Sequence, residues 1–135
     1  MPDFVEQISS KGTLLACVVR RPLSPDATTF VTRPELDLQV GFVVYPAGGE
    51  VQPHVHRPVD RRIVGTSEVL IVKRGRCVVD LYDDENQLVA SPVLEAGDLI
   101  VVLGLGHGCR MLEDTVLLEV KQGPYLGPGE KAPLK

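Results

Sequence analysis

The chain has 135 residues, a mass of 14.7 kDa and a net charge of −4, which suits one domain with one hydrophobic core and gives no basic surface for nucleic acid. No run of 18 apolar residues occurs, and the first twelve residues lack the apolar segment of a signal peptide, so we expect no membrane span. Three cysteines without CxxC spacing argue against a disulfide scaffold and favour a cytoplasmic protein.

Short strands are the elements that the sequence predicts from one end to the other. Residues 1–12 are expected to form a loose lead-in, and residues 123–135, rich in Pro and Gly, a surface tail. The predicted strands share β-branched residues and flanking turn signals, and they cover residues 13–20, 28–32, 36–45, 51–56, 67–74, 76–82, 87–94, 99–103, 109–112 and 115–122. This pattern predicts a single all-β domain over residues 1–135, an antiparallel sandwich or barrel with its core at about 36–122.

The three histidines of the chain lie in only two places. His54 and His56 alternate in a predicted strand, so their imidazoles point to one face, and Glu68 begins the next strand. His107 lies in the separate segment GLGHG. Imidazoles and a carboxylate suit one divalent transition metal ion (Fe, Mn, Ni, Co or Zn), and four protein ligands would leave two octahedral positions for water or substrate. The alternative is that each residue serves surface or packing roles only.

The order of these residues resembles the cupin superfamily. Its first motif corresponds to Gly48, five residues, His54-Val55-His56, then Glu68, six residues and Gly75, although the spacer at 57–67 has eleven residues where the family has three or four. The second motif begins at Gly97 and ends at His107, one residue early, with Leu103 in place of the proline and no asparagine after it. The resemblance implies a double-stranded β-helix (jelly-roll) barrel with His54, His56, Glu68 and His107 as metal ligands.

Five further residues are candidates for the pocket. Glu119 alternates with apolar neighbours in the last strand and is either a general base or part of a solvated face. Arg57 and Arg62 either hold a phosphate or carboxylate of the substrate or belong to an ordinary charged loop. Tyr45 either contacts ligand or packs at a strand end, and Cys109 is either a soft ligand or redox-sensitive thiol or a small buried apolar residue.

The resemblance implies a metal-dependent enzyme that acts on a small molecule, either by oxygenation or by isomerisation or epimerisation of a sugar or sugar-like substrate. A non-catalytic module that binds a metal or a small ligand is the alternative. We also expect a homodimer, because small cupins generally pair through exposed strands and unpaired sheet edges need cover. The strand at Thr13–Arg20 is the predicted candidate for exchange or docking between the two copies.

Overall fold

The computed structural model describes residues 3–134, which form eleven β-strands and one short 3-10 helix, η1, at Pro128–Glu130. The strands are β1 Val5–Ser10, β2 Thr13–Val19, β3 Thr29–Phe30, β4 Gly41–Phe42, β5 Glu68–Arg74, β6 Arg76–Tyr82, β7 Leu88–Ala90, β8 Val93–Glu95, β9 Leu99–Val102, β10 His107–Met111 and β11 Val116–Lys121. The prediction of an all-β protein is confirmed. Over these residues no helix is long and apolar enough to cross a membrane.

The strands form two main antiparallel sheets. One has five strands in the order β1-β2-β9-β5-β11, and the other has the order β10-β6-β7, with β8 also paired to β6. A separate pair, β3-β4, makes a third small sheet. The hairpin predicted at Gly75 is wrong. In the described structure β5 pairs with β9 and β11, and β6 pairs with β7, β8 and β10, so the turn at Gly75 carries the chain from the first sheet to the second.

Apolar side chains from both main sheets meet in the principal core. The five-stranded sheet contributes from β2, β5 and β9, and the second sheet from β6 and β8. The members are Ala16, Val18, Leu70, Val72, Ile100, Val102, Cys77, Val79, Leu81 and Leu94. Since successive side chains of a strand point to opposite faces, the intervening residues of the five-stranded sheet lie on its other side. There Cys17, Val19, Val69 and Val101 pack under the β3-β4 region, which contributes Val31, Val40 and Phe42.

Two strand predictions near the N-terminus need correction. The predicted lead-in contains β1, which pairs with β2 from Val5↔Val19 to Ser10↔Thr13, so Val5–Ser10 belongs to the five-stranded sheet. Residues 1 and 2 lie outside the described part of the chain, as does residue 135 of the predicted tail. The strand predicted at 36–45 is reduced to Gly41–Phe42. The amide of Gln39 donates to the carbonyls of Arg33 and Leu36 and stabilises a turn there, and side chains that bond locally to the backbone compete with a strand ladder.

The strand predicted at 51–56 is also wrong. Residues 43–67, called the arm below, contain no strand and connect β4 to β5. Pro53 has no N–H to donate to a neighbouring strand, and Gly48, at φ 84°, turns the chain just before it. Between Gly49 and Thr66, the hydrogen bonds found in the described structure join residues of the arm to one another, as from Gln52 to Glu50 at 3.4 Å.

Candidate functional site

Glu68 and His107 come together where the two main sheets meet. Glu68 is the first residue of β5 and is buried, and His107 is the first residue of β10 in the opposite sheet. The Nε2 atom of His107 lies 2.5 Å from Oε1 of Glu68. Residues that are 39 positions apart in the sequence thus form one contact, because each begins a strand at the same end of the molecule.

The contact alters the protonation of both side chains. The bond from His107 lowers the pKa of Glu68 to about 2, against a smaller opposing effect of burial. The same bond, with the negative charge of Glu68, raises the pKa of His107, and a hydrogen bond to the backbone of Leu105 acts in the same direction.

Glu119 is the third member of this cluster. Strand β11 runs antiparallel to β5, with Lys121 opposite Glu68 and Glu119 opposite Leu70, so the side chains of Glu119 and Glu68 share a face of the sheet. Hydrogen bonding with Glu68 raises the pKa of Glu119, and burial and the charge of Glu68 raise it further. The structure therefore places Glu119 beside Glu68, on the face of β11 opposite the apolar outer row, where its side chain is exposed.

Two lysines and the C-terminal tail surround the cluster. The Nζ atom of Lys121 lies 3.8 Å from a carboxylate oxygen of Glu130 and 5.7 Å from the ring centre of Tyr125. The charge of Lys131 acts on both His107 and Glu119. These residues were not predicted as part of a site. The alternation that singled out Glu119 also marks Lys121, whereas nothing in the sequence of the tail shows that it folds back here.

A cavity of about 400 Å³ lies at the same end of the molecule. It is bounded by the C-terminal end of the arm, by Gln122 just after β11, and by the tail. The lining residues are Ile63, Gly65, Thr66, Gln122, Gly123, Pro124, Leu126 and Glu130. Gln122 accepts a hydrogen bond from the backbone N–H of Ser67 through its side chain, at 2.8 Å, which ties this cavity to the residue before Glu68.

His54 and His56 lie on the exposed arm. Their ring centres are 5.1 Å apart, and Nδ1 of His54 lies 2.6 Å from the carbonyl oxygen of Gln52. The structure therefore pairs these two imidazoles but does not bring them together with Glu68 and His107. Within residues 3–134, no group of three or more His, Cys, Asp or Glu side chains is arranged to hold a metal ion.

The other candidates fall into two environments. Arg57, Arg62 and Tyr45 are exposed on the arm. Cys109 is half-buried against the principal core, and burial, with neighbouring negative charges, raises the pKa of its thiol to about 11. A protonated thiol packed among apolar residues is the behaviour of a small apolar side chain rather than that of a reactive one.

Compared with known proteins, the chain matches no family model, no curated protein sequence and no solved structure. The fold defines it as an all-β protein of packed antiparallel sheets. The site adds an imidazole and two carboxylates gathered at one end of those sheets, beside a cavity.

Proposed function

We propose that the protein is a metal-dependent enzyme of the cupin type that isomerises or epimerises a sugar or a sugar-like small molecule. The observation that carries this proposal is the contact of His107 with buried Glu68, with Glu119 beside them. Two packed antiparallel sheets are compatible with a cupin barrel, and the motif residues Glu68 and His107, which begin strands in opposite sheets, lie in contact.

The donor types suit a divalent transition metal. A carboxylate oxygen of Glu68 and an imidazole nitrogen of His107 lie side by side, hydrogen-bonded to each other in the metal-free chain. The residues that would hold the ion are His54, His56, Glu68 and His107. When bound, such an ion polarises a substrate carbonyl or hydroxyl as a Lewis acid.

Glu119 is the residue that would take a proton from the substrate and return it. A raised pKa makes its carboxyl group a better base than an ordinary glutamate, and it stands on the side of Glu68 that faces β11. In an isomerisation the carboxylate takes the proton from the hydroxyl-bearing carbon next to a carbonyl and returns it to the former carbonyl carbon, while the hydroxyl proton passes to the former carbonyl oxygen. In an epimerisation the carboxylate removes the proton from one carbon, and a proton from water replaces it on the opposite face. Lys121, at the end of β11, supplies a positive charge beside the two carboxylates.

A non-catalytic binding module is the second candidate, and one observation favours it. The residues expected to grip the substrate, Arg57, Arg62 and Tyr45, are exposed on the arm rather than gathered around the cluster. A module would need the metal and the cavity but no proton-transfer group.

Substitution of Glu119 distinguishes the enzyme from the binding module. The metal-loaded protein is incubated in deuterium oxide with a panel of sugars and sugar phosphates, and deuterium incorporation at carbon is followed by NMR. We expect the parent to label at least one substrate and Glu119→Gln to lose about 100-fold or more in rate with unchanged metal content, because general-base catalysis contributes on that scale. Glu113→Gln, on an exposed turn before β11, is the control and should keep full rate.

Oxygen uptake is recorded on the same panel. Consumption of oxygen without deuterium exchange would replace isomerisation by oxygenation. Binding of a sugar with neither deuterium exchange nor oxygen uptake would leave the binding module as the function.

A further inference from the structure

The arm is anchored to the two packed sheets near both of its ends. Near the start, the backbone N–H of Val44 donates a hydrogen bond to the hydroxyl oxygen of Thr28 at 3.0 Å. At the other end, the backbone N–H of Ser67 donates to the side chain of Gln122 at 2.8 Å. These bonds hold Val44 and Ser67 in place, so any movement of the arm takes place between them.

Residues 49–64, called the lid below, have no comparable anchor among residues 3–134. Every residue of the lid is exposed, and its hydrogen bonds join neighbours within it or reach back to Pro46. A stretch with exposed backbone and few packed contacts changes conformation at a low cost in free energy. The sheets therefore do little to fix the position of the lid.

Two glycines flank the lid. Gly48 and Gly65 each have φ 84°, and a Cβ atom built at either position would meet no atom within 4 Å. Glycine adopts both signs of φ, and the open space around these two lets their dihedral angles change without a clash. Hinges consist of a few such positions that absorb the change of backbone angles. The lid can accordingly turn about Gly48 and Gly65.

The second hinge lies at the edge of the cavity of about 400 Å³. Gly65 lines this cavity together with Ile63 and Thr66, and the tail contributes Pro124 and Leu126 to the same lining. Rotation about Gly65 therefore moves the lid relative to the opening of the cavity.

The lid carries apolar side chains that the described structure leaves in water. Val51, Val55, Val59 and Val64 are 56%, 87%, 59% and 78% exposed, and Leu126 in the cavity lining is 74% exposed. Burial of apolar surface is favourable, and large apolar side chains gathered on an exposed segment mark a surface that becomes covered in another state. Closure over the cavity would remove part of this surface from water.

We propose that residues 49–64 form a lid that turns about Gly48 and Gly65 and closes over the cavity beside the start of β5. Because Gly65 holds one end of the lid at the cavity, closure within one chain has the advantage of a high effective concentration over contact with a second copy. The inference rests on the proposed function for the ligand that the closed lid encloses, whereas the movement itself can be measured without that ligand.

Paramagnetic relaxation enhancement tests the proposal without metal or substrate. A nitroxide is attached to Val55→Cys, in the middle of the lid, in a Cys109→Ala background, since Cys17 and Cys77 are buried. We expect the backbone N–H of Leu126 to relax faster than the distances of the described structure give, because brief close approaches of the label dominate the enhancement. An enhancement that the described structure accounts for in full would overturn the lid and leave the proposed function intact.

A mixed sample distinguishes closure within one chain from contact with a second copy. The labelled chain without nitrogen-15 is mixed with an equal amount of unlabelled chain that carries nitrogen-15. We expect no excess enhancement at Leu126 in this mixture. An excess equal to that within the labelled chain would show that the arm reaches another molecule and would overturn closure over the chain's own cavity.

Substitution of apolar side chains tests what drives the closure. Val51→Asp/Val59→Asp should lower the excess enhancement at Leu126 about tenfold, because partial burial of two valine side chains shifts an equilibrium on that scale. Leu88→Asp is the matched control, since Leu88 is 58% exposed on β7 of the second sheet, and it should keep the full excess. Circular dichroism should be unchanged in both variants, and an excess that persists in the double variant would contradict closure by apolar burial.

Discussion

Among individual residues, Asp80 shows how the fold accommodates a buried charge. Its carboxylate accepts bonds from Nε and Nη2 of Arg110, at 2.8 and 2.9 Å, and from the hydroxyl of Ser91 at 2.7 Å. These bonds lower the pKa of Asp80 to about 2. Asp80 and Arg110 lie on adjacent strands, β6 and β10, so the ion pair joins two strands of the second sheet.

We expect Asp80→Asn to lower the free energy of unfolding by about 1–2 kcal/mol at pH 7, because charge-assisted bonds are lost. The pKa is lower in the folded chain than the ordinary value of about 3.9, so the stabilisation is present above about pH 4 and disappears as the pH falls towards 2. Urea unfolding at pH 7, 4 and 2.5 measures the difference in the free energy of unfolding between the parent and the variant. Asp84→Asn, whose side chain is 72% exposed, should change little, and an Asp80→Asn deficit that persists at pH 2.5 would refute the ion-pair explanation.

The contact of Glu68 and His107 predicts a different pH dependence for the metal-free protein. The lowered pKa of Glu68 means that its contribution is lost as the pH falls below about 4.3 towards 2. The raised pKa of His107 means that its contribution is complete below about pH 6.5 and is lost as the pH rises through the folded value. The pair therefore stabilises the fold most between about pH 4.3 and 6.5.

We accordingly expect His107→Ala to destabilise the metal-free protein more at pH 5.5 than at pH 9, measured as the difference in urea midpoint from the parent. His54→Ala, on the exposed arm, is the control and should show no such difference. A deficit for His107→Ala that is equal at both pH values would mean that the imidazole contributes by packing and not by its charge.

Among individual residues, the sequence predicted some residues of the site and missed others. Spacing in the motifs singled out Glu68 and His107, which the structure brings together, and strand alternation singled out Glu119. The positions of Lys121 and Tyr125 could not be predicted, because they depend on the path of a tail without regular structure. The placement of Arg57 and Arg62 beside the site has no support in the single chain, where both are exposed on the arm.

Among elements, the turn at Gly75 is the most constrained connection in the fold. Its φ is 93°, a conformation that L residues rarely adopt, and a Cβ atom there would overlap the backbone of Asp114 and Thr115. The turn packs against the connection between β10 and β11, so it fixes how the two sheets approach each other.

Gly75→Ala should therefore cost about 3 kcal/mol of stability, from left-handed strain of about 1–2 kcal/mol and the overlap with backbone. Gly12→Ala is a matched control, since Gly12 also has positive φ, 79°, but a Cβ there meets no atom within 4 Å. It should cost only about 1–2 kcal/mol, which is the strain alone. Thermal unfolding of both variants measures the two losses of stability. Equal losses would show that the backbone around Gly75 moves to make room for the added Cβ atom.

Strands were predictable where pattern and turn chemistry agreed. Arg76–Tyr82, bounded by Gly75 and an acidic tip, was predicted with the bounds that the structure has. The segment at 87–94 was predicted as one strand and is divided into β7 and β8 by Ser91-Pro92, since proline cannot continue the ladder. The segment at 36–45 alternates like a strand, yet the side chain of Gln39 holds its first half in a turn. Such local bonds between a side chain and the backbone cannot be recognised from the periodicity of hydrophobic residues.

For the whole molecule, the sequence predicted the class of fold but not the arrangement of its parts. β-branched runs and frequent turns were enough for an antiparallel all-β protein. Pairing of β1 with β2, and the exposed course of the arm, depend on contacts between residues far apart in the sequence and were not predicted. The prediction of a homodimer stays a prediction.

We propose that a divalent transition metal ion binds His54, His56, Glu68 and His107. Elemental analysis of untagged protein, purified without chelator and also after reconstitution, tests this claim most directly, beside a His54→Ala/His107→Ala variant. We predict about one transition-metal ion per chain in the parent and little in the variant. A parent without metal after reconstitution, or a variant that keeps its metal, would contradict the claim and leave the histidines with a structural role only.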